Sequence, residues 1–202
     1  MRAGLFLFCA PLALGLSLVL GACDDPTGGI GGAEIVEDSV LIAVPDAPSP
    51  ANAALPSALD VTPVGLVEIV GGRFPERQDH AEAWDLTLRV RNGELVLLAP
   101  AAIGLTSEPL RRAGITEAIA GRTFETLTRA PESSQYVTNR PVALKRGAVY
   151  GVRSRVTGGG FGGSCSFFAK LQPLELNVAA GTARLRVATS ALCSDPRLSR
   201  ED

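Results

Sequence analysis

The segment from Trp84 to Ala99 constrains the fold more than any other part of this chain. Trp84, Leu86, Leu88 and Val90 alternate with Asp85, Thr87, Arg89 and Arg91. A period of two places one set on each face of an extended chain, the pattern of a half-buried β-strand. Asn92-Gly93 follows, and both residue types accept the positive φ angles that a two-residue type I′ turn requires. With that turn, Arg91 faces Glu94, Val90 faces Leu95, and Leu88 faces Leu97. Each pair matches in character, opposite charge with opposite charge and apolar with apolar, so the register supports itself.

Other segments repeat the β pattern more briefly. Val40–Val44 is a short apolar strand, and Leu66–Val70 is another, ended by Gly71-Gly72. Val142–Leu144 and Ala148–Val156 flank a turn at Lys145-Arg146-Gly147, and Phe167–Val178 joins Thr182–Thr189 through Ala179-Ala180-Gly181. Between them, Ser107 caps a short helix running through Pro109 and Arg112 to Gly114. Thr123 caps a second one, carrying Phe124 and Leu127 before Pro131. Pro45–Pro63 is rich in Pro and Ala and is expected as an ordered loop or short helix on the surface. The sum is about seven or eight short strands with short helical insertions. That predicts an all-β domain, an antiparallel β-sandwich or a barrel-like closure of one.

The ends of the chain carry different information. Arg2 precedes an apolar run from Leu5 to Leu20 that is broken by Pro11 and Gly15. Such a run falls short of the roughly 20 apolar residues that a spanning helix needs and suits a secretory leader. It ends in Leu20-Gly21-Ala22-Cys23, which resembles the lipobox of bacterial lipoproteins. That resemblance implies cleavage after Ala22 and lipid modification of Cys23, with several acyl chains holding the protein on a membrane. The expected location is the bacterial cell envelope, at the outer membrane or the periplasmic face of the inner membrane. The polar, glycine-rich stretch Asp24–Gly32 then serves as a flexible tether. The expected organisation is a leader over residues 1–22, a lipid-anchored tether over 23–38, one β-rich domain over 39–198, and a polar tail over 199–202.

Cysteine usage agrees with export. Cys9 leaves with the leader and Cys23 is lipidated, so the folded part retains Cys165 and Cys193, an even pair that suits a disulfide in an oxidising compartment. Folding the Phe167–Thr189 hairpin about Ala180 puts the two nearly opposite each other. They are then off register by two positions that a bulge near Pro173 absorbs. A redox or metal-thiolate role would call for close Cys spacing and companion histidines, which this pair does not have.

Composition narrows the partners. Once Arg2 has gone, 18 Lys and Arg stand against 21 Asp and Glu, with the basic residues scattered. A nucleic-acid partner, which needs a basic stripe to displace counterions, is not expected. With one tryptophan, Trp84, and two tyrosines, Tyr136 and Tyr150, few aromatic faces are available for stacking on sugars or bases. Gly158–Gly163 contains the spacing G-x-G-x-x-G but opens no helix, so it is expected as a hairpin connection with Phe161 at its centre, not a nucleotide loop. Catalytic motifs are sparse. His80 is the sole histidine and no Gly-x-Ser-x-Gly elbow occurs. Asp79, His80, Glu82 and Asp85 are close in sequence, either a polar loop leading into the strand or an acid/base or metal site. On an extended chain they point to alternate faces, which favours the loop. The residues singled out for ligand binding are His80, Trp84 and Tyr150, and no metal or cofactor is expected.

Two segments together resemble a known family. Trp84-Asp85-Leu86-Thr87-Leu88-Arg89 is similar to a Trp-Asp strand of the HmuY-type lipoproteins. Val149–Ser154, followed by Phe168-Ala169-Lys170-Leu171, resembles that family's strand pair, with Gly181–Val187 standing for its last strand. The resemblance implies a lipid-anchored all-β protein, some of whose relatives bind haem with His or Met on the iron. Here the chain offers one His, and its one Met is Met1, so a single mature chain does not supply two such axial ligands. The expectation is therefore a non-enzymatic, lipid-anchored binding or scaffolding protein whose partner is an envelope protein or polymer. A haem or small-molecule carrier is the second reading, favoured by an apolar pocket near Trp84, and a hydrolase using His80 is the third.

Overall fold

The hairpin at Trp84–Ala99 is present in the computed structural model, which describes residues 35–63, 74–80, 83–158 and 163–200. The leader, Cys23, Leu66–Val70, Glu82 and Phe161 lie outside the described residues. In chain order the strands are β1 (Ile35–Ala43), β2 (Ala58–Leu59), β3 (Pro75–Glu76), β4 (Leu86–Arg91), β5 (Glu94–Leu98), β6 (Gly114–Thr116), β7 (Tyr136–Val137), β8 (Val142–Ala143), β9 (Tyr150–Arg153), β10 (Thr157–Gly158), β11 (Ser164–Cys165), β12 (Phe168–Asn177) and β13 (Thr182–Ser190). One short helix, α1 (Pro50–Ala53), and short 3₁₀ turns complete the described elements.

The strands form two antiparallel sheets. One runs β1-β13-β12-β9-β6-β7, the other β3-β2-β4-β5-β8, and β10-β11 is a separate two-stranded ribbon. Both large sheets contribute to a single apolar core. Val40, Ile42, Ile115, Tyr150, Val152, Leu171, Leu185 and Val187 come from the first, and Leu59, Leu86, Leu88, Leu95, Leu97 and Val142 from the second. Two sheets sharing one core make a sandwich, so the expected all-β class holds. Gly32–Asp202 forms one compact unit around that core.

The central hairpin takes the expected register, with Arg91 opposite Glu94, Val90 opposite Leu95 and Leu88 opposite Leu97. Its turn has φ of 52° at Asn92 and 78° at Gly93. The burial pattern differs from simple alternation at both ends. Asp85 and Thr87, the polar set, are fully buried at the start, whereas Val90, in the apolar set, is 39% exposed. The reason at the start is hydrogen bonding: the Thr87 hydroxyl donates to the Ser57 carbonyl, and the Asp85 carboxylate accepts several N–H groups described below. At the far end β4 runs past the core towards its turn, which leaves Val90 uncovered.

Several boundaries shift. β1 begins at Ile35, so the segment 35–38 is strand and not tether, and Ile35 itself is buried. Glu37, Asp38 and Ser39 are exposed within a strand fully paired to β13, which is why they resemble linker in the sequence. Pro45–Pro63 does carry a short helix, α1, but Ser57–Val61 is buried because β2 lies between β3 and β4. Thr123 caps a single turn, with Leu127 N–H donating to the Thr123 carbonyl, and no helix follows. The Ser107 connector is a 3₁₀ turn at Leu110–Arg112, and Gly114 opens β6. Lys145-Arg146-Gly147 contains a turn, with Gly147 at φ 75°, but it carries the chain from β8 in one sheet to β9 in the other. β10 pairs with β11 on either side of the glycine-rich segment, the expected hairpin connection.

The β12–β13 hairpin brings Cys165 and Cys193 together as a disulfide, with Cα atoms 5.4 Å apart. Its register explains how. The loop is centred between Ala179 and Ala180, since Asn177 pairs with Thr182, and this removes one of the two positions of offset. A bulge at Leu174, skipped between the pairs Pro173–Leu185 and Glu175–Arg184, removes the other. The bridge thus closes the open end of the longest hairpin, across 28 residues of sequence. In the chain-entropy model a loop of this size contributes about 3.6 kcal/mol. A Cys165→Ala/Cys193→Ala variant is expected to lose stability of that order in urea unfolding, with a steeper transition because the unfolded chain expands without the bridge. An unaltered midpoint would show that the bridge does not constrain the unfolded chain.

Candidate ligand-binding site

The first polar cluster to account for lies between the sheets. Arg155, just beyond β9, reaches the Asp60 carboxylate at 2.9 Å and the Asp85 carboxylate at 3.1 Å. Asp85 also accepts the Val61 and Arg155 backbone N–H groups at 2.8 and 2.7 Å, and Asp60 accepts the Thr62 backbone and hydroxyl donors. Every oxygen of the two carboxylates has a donor, as in a structural clasp.

Its electrostatics are those of a buried pair. Burial pushes the Asp85 carboxyl up to about 7, against the opposing pull of the Arg155 charge. The folded pKa then lies above the unfolded one. The stabilising contribution of this group is complete below the unfolded carboxylate pKa and is lost as pH rises towards 7.

The residues singled out from the sequence are not brought together. His80 is on the surface, its Nδ1 against a carboxylate oxygen of Glu76 from β3. Trp84 is buried, with its indole N–H donating to the Gln78 carbonyl at 3.1 Å. Tyr150 is buried too, its hydroxyl donating to the Ala143 carbonyl at 3.0 Å and accepting the Lys145 N–H at 2.8 Å. Trp84 and Tyr150 are therefore core residues with satisfied polar tips. None of the described cavities is lined by His80, Trp84 or Tyr150.

The cavity with a built chemical character lies on the outer face of the six-stranded sheet, away from the main core. Its volume is about 470 Å³, and Ile35, Glu37, Phe124, Lys170, Arg186 and Leu198 are among its lining residues. It exists because two non-local segments cross that face. Phe124 and Leu127 pack with Ile35, Val149, Ala188 and Leu198 into a second, smaller apolar cluster. The C-terminal strip is laced to the first segment, with Leu198 N–H donating to the Thr128 carbonyl and Ala130 N–H to the Pro196 carbonyl. Ser199 and Arg200 line the same cavity, and the Arg200 guanidinium donates to the Ile35 carbonyl. These two residues belong to the domain and not to a polar tail.

Lys170 is the unusual group here. It projects from β12 to the outer face, yet its residue is 5% exposed because the Thr123 turn covers it. Its ammonium donates to the carbonyls of Phe124 at 2.7 Å and Leu127 at 3.3 Å and stands 4.6 Å from the centre of the Phe124 ring. The turn ends after one cycle, and Lys170 satisfies carbonyls that a longer helix would have used. Arg186, from β13, stacks on the same ring at 3.9 Å and pairs with Glu37 at 2.6 Å and Glu125 at 2.7 Å. Those hydrogen bonds raise the Arg186 pKa. Burial pulls the Lys170 ammonium below the ordinary lysine value, with the more distant charge of Glu37 acting in the other direction. Alternation along Phe168–Gln172 places Lys170 on the outer face, but the segment that buries it is more than 40 residues away in sequence, so its burial left no local signal.

Compared with known proteins, the chain matches no family model, and neither a curated protein nor a solved structure is significantly similar to it.

An Asp85→Asn variant keeps the shape of the clasp but puts an NH₂ where an acceptor is needed. Its expected effect is a loss of roughly 1–3 kcal/mol in unfolding free energy, the scale for leaving a buried N–H such as that of Val61 without its acceptor. In urea titrations between pH 5 and pH 8 the native protein should lose stability with rising pH through this group, and the variant should lack that component of the slope. Equal slopes in the two proteins would remove Asp85 as its source.

Proposed function

We propose that the chain is an exported, lipid-anchored protein of the bacterial envelope that works by binding, without catalysis of its own. The observation that carries this reading is the Cys165–Cys193 disulfide in a domain that follows a leader ending in Leu-Gly-Ala-Cys. Such bridges belong to oxidising compartments, so two independent features agree on export. Under this reading Cys23 carries the lipid, the glycine-rich stretch after it is the tether, and the sandwich is the part displayed. Its partner is an envelope protein, an envelope polymer or a small molecule. The cavity beneath the Thr123 turn supports the last of these, since it combines apolar walls with a few charged groups on a rigid sheet. The HmuY-type resemblance supports a carrier role of the same broad kind.

Expression of the full chain in a bacterium fed an alkyne-tagged fatty acid tests the anchor. Label should appear on the native protein and vanish from a Cys23→Ser variant, which should move to the soluble fraction; a labelled Cys23→Ser protein would overturn the assignment. Haem is a separate question, and a haemin titration of the chain from Asp24 is expected to give no saturable, His80-dependent shift of the haem absorbance band, because His80 has no second His and no Met of the mature chain to complete an axial pair. Such a shift, lost in His80→Ala, would restore the haem carrier.

A further inference from the structure

We propose that the cavity over Lys170 binds a small amphiphilic anion, its acidic head group against the Lys170 ammonium and its apolar body against Phe124, Ile35 and Leu198. This rests on reading the domain as a binding module and names the class of ligand that it takes.

The argument begins with an imbalance of charge. Among the described residues the cavity gathers three cations, Lys170, Arg186 and Arg200, with two carboxylates, Glu37 and Glu125. Both carboxylates are committed to Arg186. Lys170, 5% exposed, has backbone carbonyls and an aromatic ring around it but, among the described residues, no carboxylate within ion-pair distance; Glu37 and Glu125 act on it only from farther off. An ammonium removed from water without a counter-ion is costly, and an ion supplied from outside relieves that cost. A primary ammonium has three donors, and the two carbonyls leave one for such an ion.

The remaining walls define the rest of the ligand. Phe124 and Leu198 are buried apolar residues of the small cluster, and Ile35 closes the side where β1 begins. The volume of about 470 Å³ lies in the range of small-molecule sites. Arg200, exposed on the rim, adds positive potential at the entrance. A carboxylate, phosphate or sulfonate on an apolar skeleton satisfies all of these features. A neutral apolar molecule leaves Lys170 unpaired, and a cation meets three like charges. The ligand chemistry has two sources in an envelope, a free amphiphile and the head-group region of an anionic lipid.

The test uses 8-anilinonaphthalene-1-sulfonate and its neutral counterpart N-phenyl-1-naphthylamine as fluorescent probes of the chain from Asp24. The sulfonate should bind saturably and at least roughly tenfold more tightly than the neutral probe, the ratio that one charge-assisted contact supplies. Lys170→Met should abolish that preference, with near-ultraviolet circular dichroism checking that the fold is intact. Because Lys170 also holds the Thr123 turn, Arg200→Ala serves as the second variant, and it should weaken the sulfonate several-fold while leaving the melting temperature unchanged. Displacement of the probe by laurate identifies a free amphiphile as the source, and displacement only by phosphatidylglycerol vesicles identifies the lipid head group; either supports the site. Equal binding of the two probes, an unchanged Lys170→Met protein that is folded, or displacement by neither competitor overturns it. Lipid labelling at Cys23 is read independently, so failure of this site is distinguishable from failure of the envelope reading.

Discussion

The clasp of Arg155 between Asp60 and Asp85 is the interaction on which the arrangement of the two sheets depends. Asp60 and Asp85 flank β2 and β4 of the five-stranded sheet, and Arg155 follows β9 of the other. Apolar packing between sheets is tolerant of sliding, because any set of branched side chains fills the space about as well. A guanidinium held by two acidic groups with one hydrogen-bonding solution is not. Displacing Arg155 by a single position would strand two buried carboxylates, and the cost of an unpaired buried charge exceeds that of a small packing defect. The clasp therefore contributes register more than net stability. It also explains why Asp85, in the middle of a sequence that alternates like a half-exposed strand, is wholly buried.

What the sequence made legible were the features whose causes are local. The type I′ turn needs only Asn92 and Gly93, and the pairs that follow from it are set by neighbours within a few residues. The disulfide was legible for the same reason, since a hairpin, a loop centre and one bulge fix the approach of Cys165 to Cys193. Features decided by distant segments were not legible. Glu37 and Asp38 resemble linker because their polar side chains face water, while their strand character comes from pairing with β13, about 150 residues away. Ser57–Val61 was assigned to the surface on its Pro- and Ala-rich surroundings, but the two strands that enclose β2 lie downstream of it.

The candidate site shows the same division. His80, Trp84 and Tyr150 stand out in a sequence because their side chains have chemical range, yet Trp84 and Tyr150 have their polar atoms engaged by nearby groups of the fold, and Nδ1 of His80 is held by Glu76. Lys170 does not stand out, being one lysine among the exposed-face residues of a strand. Its character comes from the Thr123 turn and the C-terminal strip laid over it, so chemistry at this position is a product of tertiary structure alone.

The disulfide and the cavity are mechanically connected through that strip. After β13 ends at Ser190 the chain is held at Cys193 by its bond to Cys165, then runs to Pro196 and Leu198, which pair with the segment after the Thr123 turn. Leu198 is fully buried in the small cluster, and Ser199 and Arg200 complete the cavity wall. Without the bridge the strip would have one fixed end fewer, and loop-closure entropy would act against the contacts that cover Lys170. The two sheets would still share their core, because none of the strip contributes to it. A folded sandwich and a formed cavity are thus separable in this chain, and the bond between Cys165 and Cys193 ties the second to the first.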